Sequence, residues 1–156
     1  MTRFTLYVDS DACPVKEDVI RVAERYKLPV IFIGNRWMRG LDHPLVSQVV
    51  AAEGLNEADD RIVERIAVGD IVVTADVPLA ARCVEKGAIG IDHRGKRFDA
   101  NSTGMALAMR DLMTSLRDSG DISGGGPAPY GKQDRSRFKD GLDQLIRNMC
   151  RNNAVI

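Results

Sequence analysis

Short apolar runs alternate with stretches of helical periodicity through the first hundred residues. Phe4 to Val8 reads as a first strand. Val15, Val19, Val22, Ala23 and Tyr26 then fall at a spacing that only a helix gathers on one face. Pro14 suits the first turn of that helix, where the N–H it lacks is not needed. Val30 to Ile33, a continuous apolar run after Pro29, predicts a strand covered on both faces. Leu45 to Val50 fits either strand or helix. Asn56 and Asp59 have the capping-box spacing, with a carboxylate in the reaching position, and open a predicted helix whose buried face is Ile62, Val63, Ile66 and Ala67. Ile71 to Val73 predicts another buried strand. A helix carrying Leu79, Ala80, Cys83 and Val84 follows, stopped by Gly87, and Ala88 to Ile91 makes a fifth strand. This alternation predicts a three-layer α/β/α fold around a parallel sheet of about five strands.

The last third changes character. Met105, Met109, Leu112, Met113 and Leu116 repeat the helical stripe, and Phe138, Leu142, Leu145, Ile146 and Met149 repeat it again in a C-terminal helix. The Gly- and Pro-rich stretch at about 119–134 reads as a long loop within one domain spanning 1–156, because the final helix alone has no core to join.

Composition narrows the class. With 156 residues, 44% of them hydrophobic and 28% charged, the chain has the makings of one folded domain and not of a disordered segment. No apolar run approaches the roughly 20 residues of a membrane span, and no signal-peptide pattern opens the chain, so a cytoplasmic protein is expected. Three widely spaced cysteines offer neither a disulfide framework nor a paired zinc motif. The 22 basic and 22 acidic side chains argue against binding nucleic acid by bulk electropositivity. That balance conceals a slight asymmetry: residues 1–100 carry 16 acids against 14 bases, and residues 101–156 carry 6 against 8.

The candidate chemistry lies in where the aspartates fall. Asp9 ends the first strand and Asp11 follows two residues on; Asp76 follows the strand at Ile71 to Val73; Asp59 and Asp60 sit in the first turn of the helix between. In a parallel sheet these positions share the carboxyl edge, where open α/β folds place their sites. Carboxylates gathered there repel one another unless a cation neutralises them, and Mg²⁺ or Mn²⁺ would do so while polarising a phosphoryl oxygen and activating water. Taken singly, each aspartate is also a good helix cap. Around the helical axis Asp59 lies over the apolar stripe and Asp60 on its flank, which makes Asp59 the better metal ligand.

The segments Val8 to Lys16, Glu57 to Val63 and Val73 to Ala80, with the later Gly-Gly-Pro, Asp134-Arg135 and Phe138, resemble the hallmark blocks of the bacterial YaiI/YqxD family. That family in turn resembles PIN-like nucleases. The resemblance implies a PIN-like fold, Mg²⁺ or Mn²⁺, and hydrolysis of RNA or DNA. It makes Asp9 the acid ending the first strand, Asp59 the acid on the central helix, and Thr74-Ala75-Asp76 the Thr-x-Asp block. Asp92, at the end of the fifth strand, is a further metal candidate, although a turn residue is the plainer reading.

Other features compete. Asp9-x-Asp11 also resembles the nucleophile and acid/base pair of haloacid-dehalogenase-type phosphatases, but a helix opening at Pro14 leaves no room for their flap. A non-catalytic nucleic-acid-binding or regulatory module of the same fold is the remaining alternative. Gly126 to Lys132 spells a P-loop in letters, yet no strand precedes it and Gln133 replaces the metal-binding hydroxyl. Cys13, beside a helix N-terminus, is either a thiol of lowered pKa or a small packing residue. His43 and His93 read as isolated loop residues. Arg110 and Arg117, with Lys132, Arg135, Arg137 and Lys139, compose a candidate phosphate-binding rim, a pattern that solvated helix faces also produce. Asn35-Arg36-Trp37-Met38-Arg39 sets the sole tryptophan between two arginines, a composition suited to stacking a base, although a Trp packed on its own domain is the commoner arrangement.

Overall fold

A computed structural model describes residues 4–10, 13–52, 54, 56–98 and 130–154. Its elements run β1 (Leu6–Asp9), α1 (Lys16–Tyr26), β2 (Val30–Gly34), β3 (Val46–Val50), α2 (Glu57–Arg65), β4 (Ile71–Val73), α3 (Val77–Glu85), β5 (Ile89–Ile91), β6 (Arg97–Phe98) and α4 (Lys132–Ala154). The six strands form one sheet in the order β3-β2-β1-β4-β5-β6, parallel except for β6, which pairs antiparallel with β5. Leu45 to Val50 thus resolves as strand, pairing Val46 to Val50 with Val30 to Gly34. The antiparallel β6 is an addition to the expected five; two residues returning from a tight turn carry no periodicity to read.

Alternate residues of a strand face opposite ways, and the core divides accordingly. Leu6, Val8, Val30, Phe32, Ile71, Val73 and Ile91 join Val15 from the position just before α1, Val19 and Val22 of that helix, and Phe138, Leu142, Leu145 and Ile146 of α4 in one apolar cluster. Tyr7, Ile33 and Val72 join Ala58 and Ile62 of α2 and Leu79 and Cys83 of α3 in another. Each fully buried Phe, Leu or Ile stabilises the fold by roughly 1.5–3 kcal/mol, so these stripes decide which side of the sheet each helix covers.

Several local expectations are corrected. Helix α1 begins at Lys16 with Val15 as its N-cap, so Pro14 stands before the helix and not in its first turn. Asn56 occupies the N-cap of α2 but makes no side-chain cap hydrogen bond, because its backbone is left-handed (φ 66°) and a capping side chain needs an extended one. Ala67 is exposed: α2 ends at Arg65, and the extended backbone at Ile66 returns Ile66 to the core and turns Ala67 outward. Residues 132–134, expected in the loop, are helical. Asp134 Oδ2 accepts the Gly131 N–H (3.0 Å) and Arg135 N–H bonds the Gly131 carbonyl (3.2 Å), the reaching half of a capping box that starts the helix early. The Gly87 stop is as expected, with φ +93° and the Ala88 N–H returned to the Cys83 carbonyl. The stripe from Met105 to Leu116, residues 119–129, and Asp11, Arg110 and Arg117 lie outside the described residues.

Candidate functional site at the carboxyl edge

The chain lays β1, β2 and β3 outward in one direction and β4 and β5 in the other, so the sheet order reverses between β1 and β4. Connections leave the carboxyl ends of those two strands in opposite senses, the kind of reversal at which open α/β folds place a binding crevice. Asp9 and Thr74 flank it. The buried Thr74 hydroxyl donates to Asp9 Oδ2 (3.0 Å) and accepts the Asp76 N–H (3.0 Å). A hydroxyl has one proton, and giving it to Asp9 leaves a lone pair for the Asp76 amide, so a single side chain sets both acidic positions. Asp76 also caps α3, its Oδ1 accepting the Leu79 N–H at 3.1 Å, with Pro in the following turn. The cap uses one of a carboxylate's roughly four lone-pair sites, so capping and ligation are compatible at this residue.

The acids of α2 have other neighbours. Asp60 pairs with Arg82 of α3 at 2.9 Å, both half-exposed. Asp59 lies close enough to Cys83 to act on its thiol, which burial pushes up to about 12 against the opposing pull of Arg82 and Lys86. Asp92 Oδ1 accepts the N–H groups of Arg94 and Lys96, each at 2.9 Å, and closes the turn into β6, which agrees with the turn reading. Lys132 is exposed at the start of α4.

Among the described residues no three His, Cys, Asp or Glu side chains gather closely enough to hold a metal ion. Asp9 and Asp76, joined through Thr74, are nonetheless the kind of hard oxygen pair that suits Mg²⁺, which commonly takes one or two carboxylates and completes its shell with water and substrate phosphates.

A second set of polar groups, mostly outside the sequence reading, lies beside the crevice on the α1 side. Asp18 is fully buried and receives two bonds from Arg135, Nε to Oδ2 at 3.1 Å and Nη2 to Oδ1 at 3.3 Å. The guanidinium assigned to a phosphate rim is thereby engaged with a carboxylate. A signal for Asp18 was available: it lies three residues after Val15 and four before Val22, on the apolar face, where a charge requires a partner. Tyr130 donates to the His93 carbonyl (2.8 Å), and burial, reinforced by Asp18 and Asp134 against Arg135, pushes its hydroxyl up to about 12. Burial likewise raises the Cys13 thiol, with Asp9 and Asp18 adding to the shift while the Val15 N–H and Lys16 oppose it. Of the two readings of Cys13, the packing residue fits: its side chain is buried in the apolar cluster beneath α1. His93 Nε2 is buried with no hydrogen-bond partner among the described residues.

The model of the uncharacterised YaiI/YqxD family matches residues 7–148. The chain is 52% identical over 150 residues to a UPF0178 protein of Rhodopseudomonas palustris, covering 96% of this chain and 94% of that one. It is 52% identical over 146 residues to one of Parvibaculum lavamentivorans, covering 94% and 95%. Identity to one of Geobacter sulfurreducens is 49% over 148 residues, covering 94% and 98%. No solved structure matches it. No helix among the described residues is long and apolar enough to cross a membrane.

Proposed function

The chain belongs to the YaiI/YqxD family, and we propose that it is a cytoplasmic metal-dependent phosphodiesterase acting on nucleic acid, RNA before DNA, on a three-layer PIN-like fold. The observation that carries this reading is the Thr74 hydroxyl, which ties Asp9 to the backbone of Asp76 across the reversal of strand order. In this reading Asp9 and Asp76 hold Mg²⁺ or Mn²⁺, and water and substrate phosphates fill the remaining positions; Asp59, expected as a further ligand, is not gathered with them. Asp11 and Asp60 orient water or a second ion. The metal supplies Lewis-acid polarisation of the phosphoryl group and a more acidic bound water. Thr74 holds Asp9 in one orientation, a task whose loss typically costs 10–100-fold in metal sites.

The test is cleavage of single-stranded RNA by the purified chain with Mn²⁺. Asp9→Asn is expected to abolish cleavage and Thr74→Val to lower it about 10–100-fold. Activity unchanged in Asp9→Asn would sink the assignment. The lack of a three-donor group among the described residues favours one second reading, a nucleic-acid-binding module without hydrolysis. Calorimetry separates the two: RNA affinity with no Mg²⁺ or Mn²⁺ binding at millimolar ion supports the module. Turnover of a small phosphomonoester with no cut in a polynucleotide would instead support a phosphatase.

A further inference from the structure

The chain's sole tryptophan, Trp37, is 66% exposed. A Trp ordinarily buries on the order of 150–250 Å², so an indole held in water calls for a cause. The loop at 35–45 shows that the exposure is built. Gln48 of β3 clasps the Met38 backbone from both sides, its Oε1 accepting the Met38 N–H (2.9 Å) and its Nε2 donating to the Met38 carbonyl (2.8 Å). The Met38 side chain packs against the apolar cluster under α1, and Leu41 is buried in it, so the loop is anchored on both counts. With Met38 pinned and directed inward, its neighbour Trp37 is outside both apolar clusters.

Exposed arginines stand at 36 and 39 on either side of the indole. Among the described residues neither forms an ion pair with a carboxylate. The loop leaves the carboxyl end of β2, and β2 is the strand next to β1, with Asp9 in register with Ile33. The loop is pinned at Met38 to Gln48 in the outer strand β3, so the aromatic face and the two cations lie on the β3 side of Asp9, the opposite flank from Thr74.

We propose that Trp37 is a stacking platform for one base of a single-stranded nucleic acid, whose phosphates Arg36 and Arg39 contact while the strand runs along the carboxyl edge. An aromatic face accepts any base, and two flanking cations match the charge of the adjoining backbone; neither an apolar protein partner nor a second copy of this chain explains why cations bracket the ring. The proposal rests on nucleic acid being the substrate class, but it does not require hydrolysis.

The single indole supplies its own probe. Without divalent ions, so that the strand stays intact, a mixed-sequence 12-nucleotide RNA is expected to quench Trp37 fluorescence saturably, and an abasic strand of equal length to leave it bright. Trp37→Ala, followed by anisotropy of a labelled strand, is expected to weaken binding about 5- to 150-fold, and Trp37→Phe to restore most of it. The double change Arg36→Gln with Arg39→Gln is expected to flatten the dependence of log affinity on log salt by about 1.4. Equal quenching by the abasic strand, or unchanged affinity in Trp37→Ala, would overturn the proposal. So would quenching caused by raising protein concentration alone with a rise in sedimenting mass, which would make the loop a contact between copies. RNA cleavage with Mn²⁺ but no base-dependent quenching defeats only the stacking platform, whereas quenching without cleavage defeats only the hydrolase reading.

Discussion

The two helix pairs that cover the sheet are each tied by an aspartate and an arginine, in very different surroundings. Between α1 and α4, the Asp18 side chain is 1% exposed and is gripped by two bonds from Arg135. Tyr26 and Asp143, bonded at 2.7 Å, each lie eight residues beyond Asp18 and Arg135, so the two helices run parallel in matched register. Arg25 and Arg147 complete that second tie. Between α2 and α3, Asp60 and Arg82 meet with 49% and 46% of their side chains exposed. The first seam buries Asp18 against one guanidinium and surrounds Asp143 with three donors. The second holds Asp60 at the surface, where water competes with the arginine.

Breaking each tie is expected to give unequal results. Arg135→Met leaves a carboxylate buried without its partner and is expected to lower Tm by about 10 °C, while adding Asp18→Asn recovers part of the loss. Calorimetry of the single and double variants checks this. An undiminished Tm would mean that the Asp18 site relaxes open to water, and the contrast between the seams would collapse.

Tyr130→Phe removes the hydrogen bond to the His93 carbonyl and is expected to cost about 1 kcal/mol at neutral pH. Its pH dependence carries a definite sign. The hydroxyl is pushed above its ordinary value to about 12 in the folded chain, so the stabilisation is complete below about pH 10 and is lost as pH rises toward 12. Urea midpoints of wild type and variant are therefore expected to converge across that range.

His93 gives the opposite slope. Burial lowers its pKa, with Arg94 and Lys16 assisting and Asp92 opposing. The unfolded chain takes up the proton first, so stability is present above about pH 6.5 and declines as pH falls below it. His93→Gln is expected to flatten that decline in a Tm series from pH 7.5 to 5. An equally steep series in the variant would assign the acid sensitivity to other groups. The smallest effect belongs to the exposed seam: Arg82→Met is expected to cost less than about 1 kcal/mol, a Tm change within about 3 °C that shrinks further in salt.

The elements most legible in the sequence are those with an unbroken local signal. Val15, Val19 and Val22 announced α1, Leu79, Ala80 and Cys83 announced α3, and Val30 to Ile33 announced a strand buried on both faces. Capping was less legible, because the left-handed backbone at Asn56 is set by how the chain approaches α2 and not by residue type. At the candidate site the acids themselves stood out, and Asp76 has the capping role open to any aspartate before a helix. Asp70, buried ahead of β4 and bonded by the N–H groups of Thr5 and Ala67, drew no attention because both of its partners are backbone.

Local periodicity and turn chemistry determined which segments are strands and helices, and they did so because neighbouring residues sample one another before the chain closes any long loop. Pairings across distance were decided only in three dimensions. Thr74 meets Asp9 over 65 residues and Arg135 meets Asp18 over 117, contacts that exist because strand order and helix packing place them together. The close approach of Gly95, where a Cβ would stand 2.5 Å from the Arg137 carbonyl oxygen, is of the same kind. A linear pattern records what each residue prefers. Which carboxylate receives a guanidinium, which a hydroxyl and which water depends on the geometry of the packed sheet and helices.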